Sequence, residues 1–243
     1  MKKIGIIGGM GPLATADLFT KIIKASDAKC DNEHIPIIID NNTKIPDRTA
    51  AILGIGESPL EEIILSAKTL EKSGADFLIM PCNTAHYFYN DLTKAINIPI
   101  LNMIEETAKF ILKKNPDIKK IALFSTTGTL KGNVYQNIFN KYDIEIVFPE
   151  ESENLELMNL IYNVIKNGEL NYNPKKIINI IKNFKKKNID NIILGCTELP
   201  IAMNLFKIKG NFYDPNEILA LSAIKKAKDW LYQSHLSFFI LNT

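Results

Sequence analysis

Two six-residue segments, Pro81-Cys82-Asn83-Thr84-Ala85-His86 and Gly195-Cys196-Thr197-Glu198-Leu199-Pro200, carry the residue types best suited to chemistry. In each, a cysteine follows an apolar run and precedes small polar residues that open a helix. A thiol at a helix N-terminus is expected to lose its proton more readily, which enriches the nucleophilic thiolate. The amides and hydroxyls of Asn83, Thr84 and Thr197 supply donors that suit a carboxylate. A lone cysteine in such a place is more often a buried apolar residue. Two of them, on matching strands, point instead to a pair of bases facing each other across a cleft. Cys30 lacks this setting and reads as structural. His86, one helical turn after Cys82, reads first as a core or helix-surface histidine and second as a group that tunes the thiol.

Arg48 is the one arginine in a chain with 29 basic residues, and it lies in "IPDRTAAI" within the long connection 41–57. Only arginine offers a planar fork for bidentate carboxylate binding, and long loops in compact domains commonly carry function. A surface salt bridge is the plain alternative. A glycine cluster, Gly8-Gly9-Met10-Gly11-Pro12, contains Gly9-x-Gly11-x-x-Ala14, formally a dinucleotide fingerprint. The acid expected about 20 residues on is displaced, since Asp40 comes 29 after Gly11. Close backbone approach to a small anion, a dinucleotide site and a structural turn all stay open, and Pro12 suits the first position of a helix. Three histidines with no C-x-x-C or H-x-x-x-H spacing give no metal cluster. A G-x-S-x-G nucleophile elbow is absent.

These residues need a scaffold that brings two strand ends together. Short apolar runs at 3–7, 35–39, 77–80, 98–101, 121–124, 145–148, 191–194 and 211–213 alternate with helical patterns. Those patterns run through Leu60, Ile63, Ile64, Ala67 and Leu70, through Leu155, Met158, Ile161 and Ile165, and through Ile177, Ile181 and Phe184. Ile-rich strands alternating with helices predict an α/β fold with parallel sheets covered on both faces. "ADFLIMPCNT" (75–84) aligns with "IDNIILGCTE" (189–198) at an offset of 114, cysteine on cysteine. "IGIIGG" (4–9) echoes "IALFST" (121–126), and "IPILN" (98–102) echoes "GNFYD" (210–214), at nearly the same offset. The repeat predicts two pseudo-symmetric halves, each with a mainly parallel four-stranded sheet flanked by helices. Ligands of open α/β sheets bind at the carboxyl ends of strands, which places the site in the cleft between the halves. The first domain is expected at 1–102, completed by a C-terminal helix within 216–243, and the second at 103–215. The final helix is expected over 216–232, with the tail "HLSFFILNT" packing on the body or on a partner subunit.

Composition narrows the function. The chain has 243 residues, 46% of them hydrophobic and 23% charged, which is ordinary globular usage and excludes disorder. A net charge of +2 argues against nucleic acid as a partner. No apolar run reaches the roughly 18 residues of a membrane span. The N-terminal Lys2-Lys3 and Ala14-Thr15-Ala16 look like parts of a signal peptide, but four glycines and Pro12 interrupt the stretch between them. Three cysteines cannot make a disulfide framework. The expected compartment is the cytoplasm.

Taken together, GGMGP (8–12), IPDRTAAI (45–52), PCNTAH (81–86) and LGCTELP (194–200) resemble the aspartate/glutamate racemase superfamily, aspartate racemase branch. Glutamate racemases of cell-wall synthesis carry a DSG-type start and GCTHYP; this chain departs from both. The resemblance implies a cofactor-independent enzyme, with no pyridoxal phosphate, that interconverts L- and D-aspartate and possibly glutamate. It implies Cys82 and Cys196 as the two bases, and a small-molecule amino-acid site formed by Met10, Arg48, Asn83, Thr84, Ala85, Lys166, Thr197 and Glu198. Arg48 falls where the branch binds a substrate carboxylate, and Lys166 near its second cationic contact; Lys166 also reads as a last-turn lysine complementing a helix dipole. A homodimer is implied as well. Other readings are a broader amino-acid racemase, a hydantoin racemase or maleate isomerase of the superfamily, and a non-catalytic or dinucleotide-binding α/β protein.

Overall fold

The computed structural model describes the backbone of residues 1–240 and the side chains as far as Lys228. The first half runs β1 (Ile4–Gly8), α1 (Pro12–Ala25), β2 (Ile37–Asn41), α2 (Arg48–Ile52), α3 (Leu60–Lys72), β3 (Phe77–Ile79) and α4 (Tyr89–Lys94). After α5 (Met103–Lys114) come β4 (Lys120–Ser125), α6 (Thr127–Lys131), α7 (Gln136–Phe139), β5 (Glu145–Val147) and α8 (Glu151–Asn159). The chain continues through α9 (Lys175–Lys186), β6 (Asn191–Gly195), α10 (Glu198–Leu205) and β7 (Asn211–Tyr213) to α11 (Pro215–Ile240). No helix among the described residues is long and apolar enough to cross a membrane. The expectation for the tail lies outside the described side chains, and α11 extends beyond the helix predicted over 216–232.

Both sheets are parallel. Their orders are β2-β1-β3 and β5-β4-β6-β7, so each is built around the first strand of its half, and the two match where they overlap. The first sheet is one strand short of the predicted four. Segment 98–101 makes only an isolated bridge, Leu78 to Ile100, with Leu78 N–H donating to Pro99 O at 2.8 Å and Leu101 N–H to Leu78 O at 2.9 Å. Pro99 has no N–H to extend the ladder. Asn102 then starts α5 at once, its Oδ1 accepting from the amides of Ile104 and Glu105.

Burial explains the strand composition. Every residue of β1 is buried, and the two faces of the strands feed different cores. Ile4, Ile6, Phe77 and Ile79 of the first sheet join Ile121, Leu123 and Ile193 of the second in one cluster, filled by Ile104 and Ile111 of α5 and by Leu219 and Ala223 of α11. On the outer faces, Ile63, Ala67 and Leu70 of α3 cover Ile7 and Leu78, and Ile177, Ile180 and Phe184 of α9 cover Phe124 and Ile192. One helical stripe departs from its prediction. Leu155 is 65% exposed, and the buried face runs through Leu157, Leu160, Ile161, Val164 and Ile165. Past α8 the helix widens into a π-helical segment, Leu160–Lys166; such segments are frequent at functional sites.

The glycine turn after β1 is satisfied by the chain itself. Gly9 has φ +90, and a Cβ there would lie 2.2 Å from the Asn42 carbonyl oxygen. Its amide donates to Thr15 Oγ1 at 3.0 Å, and Thr15 in turn donates to Gly11 O at 3.1 Å. Pro12 opens α1, as its position predicts. The dinucleotide reading needs this glycine face open to a pyrophosphate, and Asn42 and Thr15 occupy it.

Candidate active site

At the carboxyl ends of β1, β3, β4 and β6, one pocket collects residues from both halves. Cys82, Asn83 and Thr84 follow β3; Cys196, Thr197 and Glu198 follow β6; Met10, Asp47, Arg48, Thr49, Thr126, Tyr162 and Lys166 complete the lining. The cysteines, 114 residues apart in sequence, therefore share a pocket. Both are buried. Of the residues expected around them, Ala85 alone is absent from the lining: it is 0% exposed and packs in the cluster beneath the first sheet. The 3₁₀ helix Thr84–Phe88 turns that side chain inward. Cys30, at the surface, donates to Asn32 Oδ1.

Arg48 sits at the start of α2, where Asp47 caps the helix by accepting from the Ala50 amide at 2.7 Å. It is buried rather than paired at the surface. Its guanidinium donates to the carbonyls of Ile45, Pro46 and Met10 at 3.3, 3.0 and 3.4 Å. Burial works against its charge, but Cys82 and then Asp47 outweigh that and hold its pKa up. Two buried donors in the pocket residues have no acceptor, Arg48 Nε and Asn83 Nδ2. An unsatisfied buried donor costs about 1–3 kcal/mol, which an incoming anion recovers.

The second cysteine has different company. Its thiol donates to Glu198 Oε2 at 2.9 Å, and Thr197 Oγ1 donates to the same oxygen at 3.2 Å. Lys166, last residue of the π-helical segment, places Nζ 3.8 Å from Glu198 Oε1 and 4.4 Å above the Tyr162 ring. Burial opposes the Lys166 charge, while Glu198 and Cys196 raise its pKa. The thiol of Cys196 is pushed well above its ordinary pKa, first by burial and next by Glu198, with Lys166 opposing. This reverses the expectation of a helix N-terminus lowering it. A half-charge at the end of α10 does not offset loss of solvent and an adjacent carboxylate.

His86 is a core histidine that holds the backbone of Cys82. Its Nδ1 donates to Cys82 O at 2.9 Å, and its Nε2 accepts from the Met103 amide at 3.0 Å. Both ring nitrogens are used by the neutral ring, and burial pulls its pKa down to about 4, with the bond to Cys82 O opposing.

Three polar ties join the halves around the pocket. Tyr162 O–H lies 3.3 Å from both Asp47 Oδ2 and Thr49 Oγ1. Thr84 Oγ1 lies 3.1 Å from Thr126 Oγ1 and 2.9 Å from Thr129 Oγ1. Tyr135 O–H donates to Asn83 Oδ1 at 2.6 Å. α6 also approaches α2 closely: a Cβ on Gly128 would lie 2.8 Å from Thr49 Cα. The cavity volume left among the lining groups is about 10 Å³.

A family profile for Asp/Glu/Hydantoin racemase matches residues 7–223. The chain belongs to that family. Among solved structures, the racemase superimposes on the Picrophilus torridus aspartate racemase with a TM-score of 0.80, at 32% identity over 93% of this chain and 94% of the other. It is 27% identical to the broad specificity amino-acid racemase RacX of Bacillus subtilis over 91% of this chain and 96% of that protein. It is 33% identical to the glutamate racemase of Aquifex pyrophilus over 66% of this chain and 62% of that protein.

Four lining residues of the racemase escaped the motif reading: Asp47, Thr49, Thr126 and Tyr162. Signals for three of them exist in the sequence. Asp47 precedes Arg48 and is a favoured helix cap. Tyr162 stands four residues before Lys166, on the same helical face. In the internal repeat, Thr126 aligns with Gly9, at the end of a matching strand.

Proposed function

We propose that this racemase interconverts L- and D-aspartate by a two-base mechanism in which Cys82 and Cys196 act on opposite faces of Cα. The observation that carries the reading is a pocket with two thiols, two cations and two buried donors, Arg48 Nε and Asn83 Nδ2, lacking acceptors. Lys166 is already paired with Glu198 at 3.8 Å, so the two carboxylates of a dicarboxylic amino acid fall to the two unpartnered donors, one on Arg48 and one on Asn83. Arg48 grips the side-chain carboxylate with its fork, and Asn83, Thr84 and Thr197 donate to the α-carboxylate, where charge builds as the Cα proton leaves.

In this scheme the two sulfurs start a turnover in opposite protonation states. In one direction the Cys82 thiolate takes the Cα proton, forming S–H and leaving the electron pair on Cα and the α-carboxylate. The Cys196 thiol then gives its proton to the opposite face and becomes the thiolate. In the other direction Cys196 must first lose its proton, and Glu198 Oε2 stands 2.9 Å away to accept it. Lys166 compensates the carboxylate charge and, near Cys196, favours the thiolate. Two thiols provide both proton transfers, so this scheme requires no cofactor.

The similarity to RacX supports a second reading, in which the racemase accepts amino acids without a side-chain carboxylate. Incubation with individual L- and D-amino acids in D₂O, followed by NMR of the Cα proton and chiral chromatography, separates the two. Aspartate racemised in both directions well ahead of neutral amino acids upholds the proposal. Comparable rates on alanine or leucine move the assignment to the broad reading, and inertness toward every amino acid overturns both. The implied homodimer belongs to the same proposal, with sedimentation velocity as its test.

A further inference from the structure

Tyr135 lies just before α7, fully buried, with its ring packed in the central cluster and its centroid 5.6 Å from that of Phe139. Its hydroxyl leaves that apolar setting to cross between the halves and donate to Asn83 Oδ1 at 2.6 Å. Burial, then Asp214 and Cys196, hold the phenol protonated, well above its ordinary pKa. It therefore always has a proton to place, and a buried hydroxyl proton without an acceptor is costly. Asn83 Oδ1 is the acceptor it has.

An amide side chain has one accepting end and one donating end. With Oδ1 committed to Tyr135, Asn83 is left with Nδ2 as its free end, and Nδ2 is buried with no partner in a residue that lines the pocket. The following residue is held in the same way, by the hydroxyls of Thr126 and Thr129 on Thr84. Turning the amide over would present an oxygen to an incoming carboxylate and leave the tyrosine proton unplaced.

We propose that Tyr135 is a positioning residue: by holding Oδ1 of Asn83 it keeps the amide turned so that Nδ2 is the donor offered to the substrate's α-carboxylate. The inference rests on the racemase reading above. It adds a residue that touches no substrate and that belongs to the half opposite the one carrying Asn83.

The test is a double-mutant cycle on aspartate racemisation, with melting temperatures measured alongside. Tyr135→Phe removes one oxygen and frees the amide. Because the donor matters most as charge develops, kcat falls about tenfold with little change in KM. Asn83→Ala removes the donor itself and falls at least as far. In Tyr135→Phe/Asn83→Ala the loss equals that of Asn83→Ala alone, because Tyr135 then has nothing to orient. A folded Tyr135→Phe variant with wild-type kcat overturns the proposal, as do losses that multiply in the double variant. Should Tyr135→Phe fail to fold, Asn83→Asp decides the matter. Aspartate keeps an acceptor for the tyrosine but no donor for the pocket, so a wild-type kcat there overturns the proposal, and a lost kcat supports it where Tyr135→Leu, which also removes the hydroxyl, loses kcat alone but not further in the Asn83→Ala background. A wild-type chain inert toward every amino acid removes the underlying reading and this inference with it, whereas an active wild type beside an unaffected Tyr135→Phe removes the inference alone.

Discussion

Replacing Glu198 by glutamine separates two effects of one carboxylate on Cys196. Oε2 accepts the thiol proton at 2.9 Å, and its charge keeps the thiol protonated, second only to burial. Glutamine keeps the volume and an accepting oxygen, and removes both the charge and the capacity to take the proton away. A hydrogen bond to a charged partner is worth about 1.5–3 kcal/mol, against about 0.5–1.5 for a neutral one. Losing the stronger bond and the adjacent charge moves the Cys196 pKa down, toward more thiolate at neutral pH. Lys166, 3.8 Å from the carboxylate, loses its counter-charge and acts in the same direction. Thiolate nucleophilicity declines as basicity falls, with a Brønsted slope of about 0.4–0.5, so the gain in thiolate outweighs the loss in reactivity and alkylation speeds up. Racemisation moves the other way. With Glu198 in the proposed role of taking the Cys196 proton, its loss costs about 100-fold or more, the range for general acid–base catalysis. Iodoacetamide labelling at pH 7 with peptide mass spectrometry, which counts Cys30, Cys82 and Cys196 separately, measures the first effect; chiral chromatography measures the second. Unchanged or slower labelling of Cys196 refutes the electrostatic argument, and faster labelling with full turnover removes Glu198 from the proton path.

Arg48→Lys keeps the charge and loses the fork, so aspartate binding weakens by about 1–3 kcal/mol; an unchanged KM takes Arg48 out of the site. Because Arg48 is buried against three carbonyls, the same variant also melts at a lower temperature. Cys82→Ser and Cys196→Ser each abolish racemisation, while the remaining thiol exchanges the Cα proton of one enantiomer with D₂O, the two variants preferring opposite enantiomers; near wild-type interconversion by either excludes that cysteine as a base. His86 has its pKa lowered to about 4 in the folded chain, against about 6.5 unfolded, so it contributes about 3 kcal/mol of stability above pH 6.5 that is lost as pH falls from 6.5 through 4. Urea unfolding at pH 7 and pH 4.5 shows this loss in the wild type and a smaller one in His86→Gln; equal losses refute the assignment.

The parts of this molecule that the sequence discloses are those in which local order and long-range order agree. Buried parallel strands read as isoleucine runs because both their faces are covered, and the repeat of 75–84 in 189–198 puts the cysteines on equivalent strands. Segment 98–101 looked like a strand for the same reason, but the lost amide of Pro99 and the immediate cap at Asn102 reduce it to a bridge. Ala85 was drawn into the site by its neighbours in PCNTAH, although adjacency along a 3₁₀ turn does not fix the side a residue faces. The sign of the Cys196 shift depends on burial and on where Glu198 points, neither of which spacing discloses. Tyr135 reaches Asn83 from 52 positions away, and an aromatic ahead of a short helix is indistinguishable beforehand from any other core residue.

The tightness of the pocket has a kinetic meaning. A cavity of about 10 Å³ holds roughly one water molecule, and an amino acid cannot enter it while Tyr162 spans to Asp47 and Thr49 and Gly128 rests on Thr49. A substrate of amino-acid size needs more room than this arrangement leaves, and a parting of the two halves, a motion of the microsecond-to-millisecond class, would supply it. In the proposed two-base scheme, a site this small would also keep bulk solvent away from a carbanion at Cα. On that reading, a carboxylate bulkier than the proposed substrate would inhibit by holding apart the contacts of Tyr162 and Gly128 with Asp47 and Thr49.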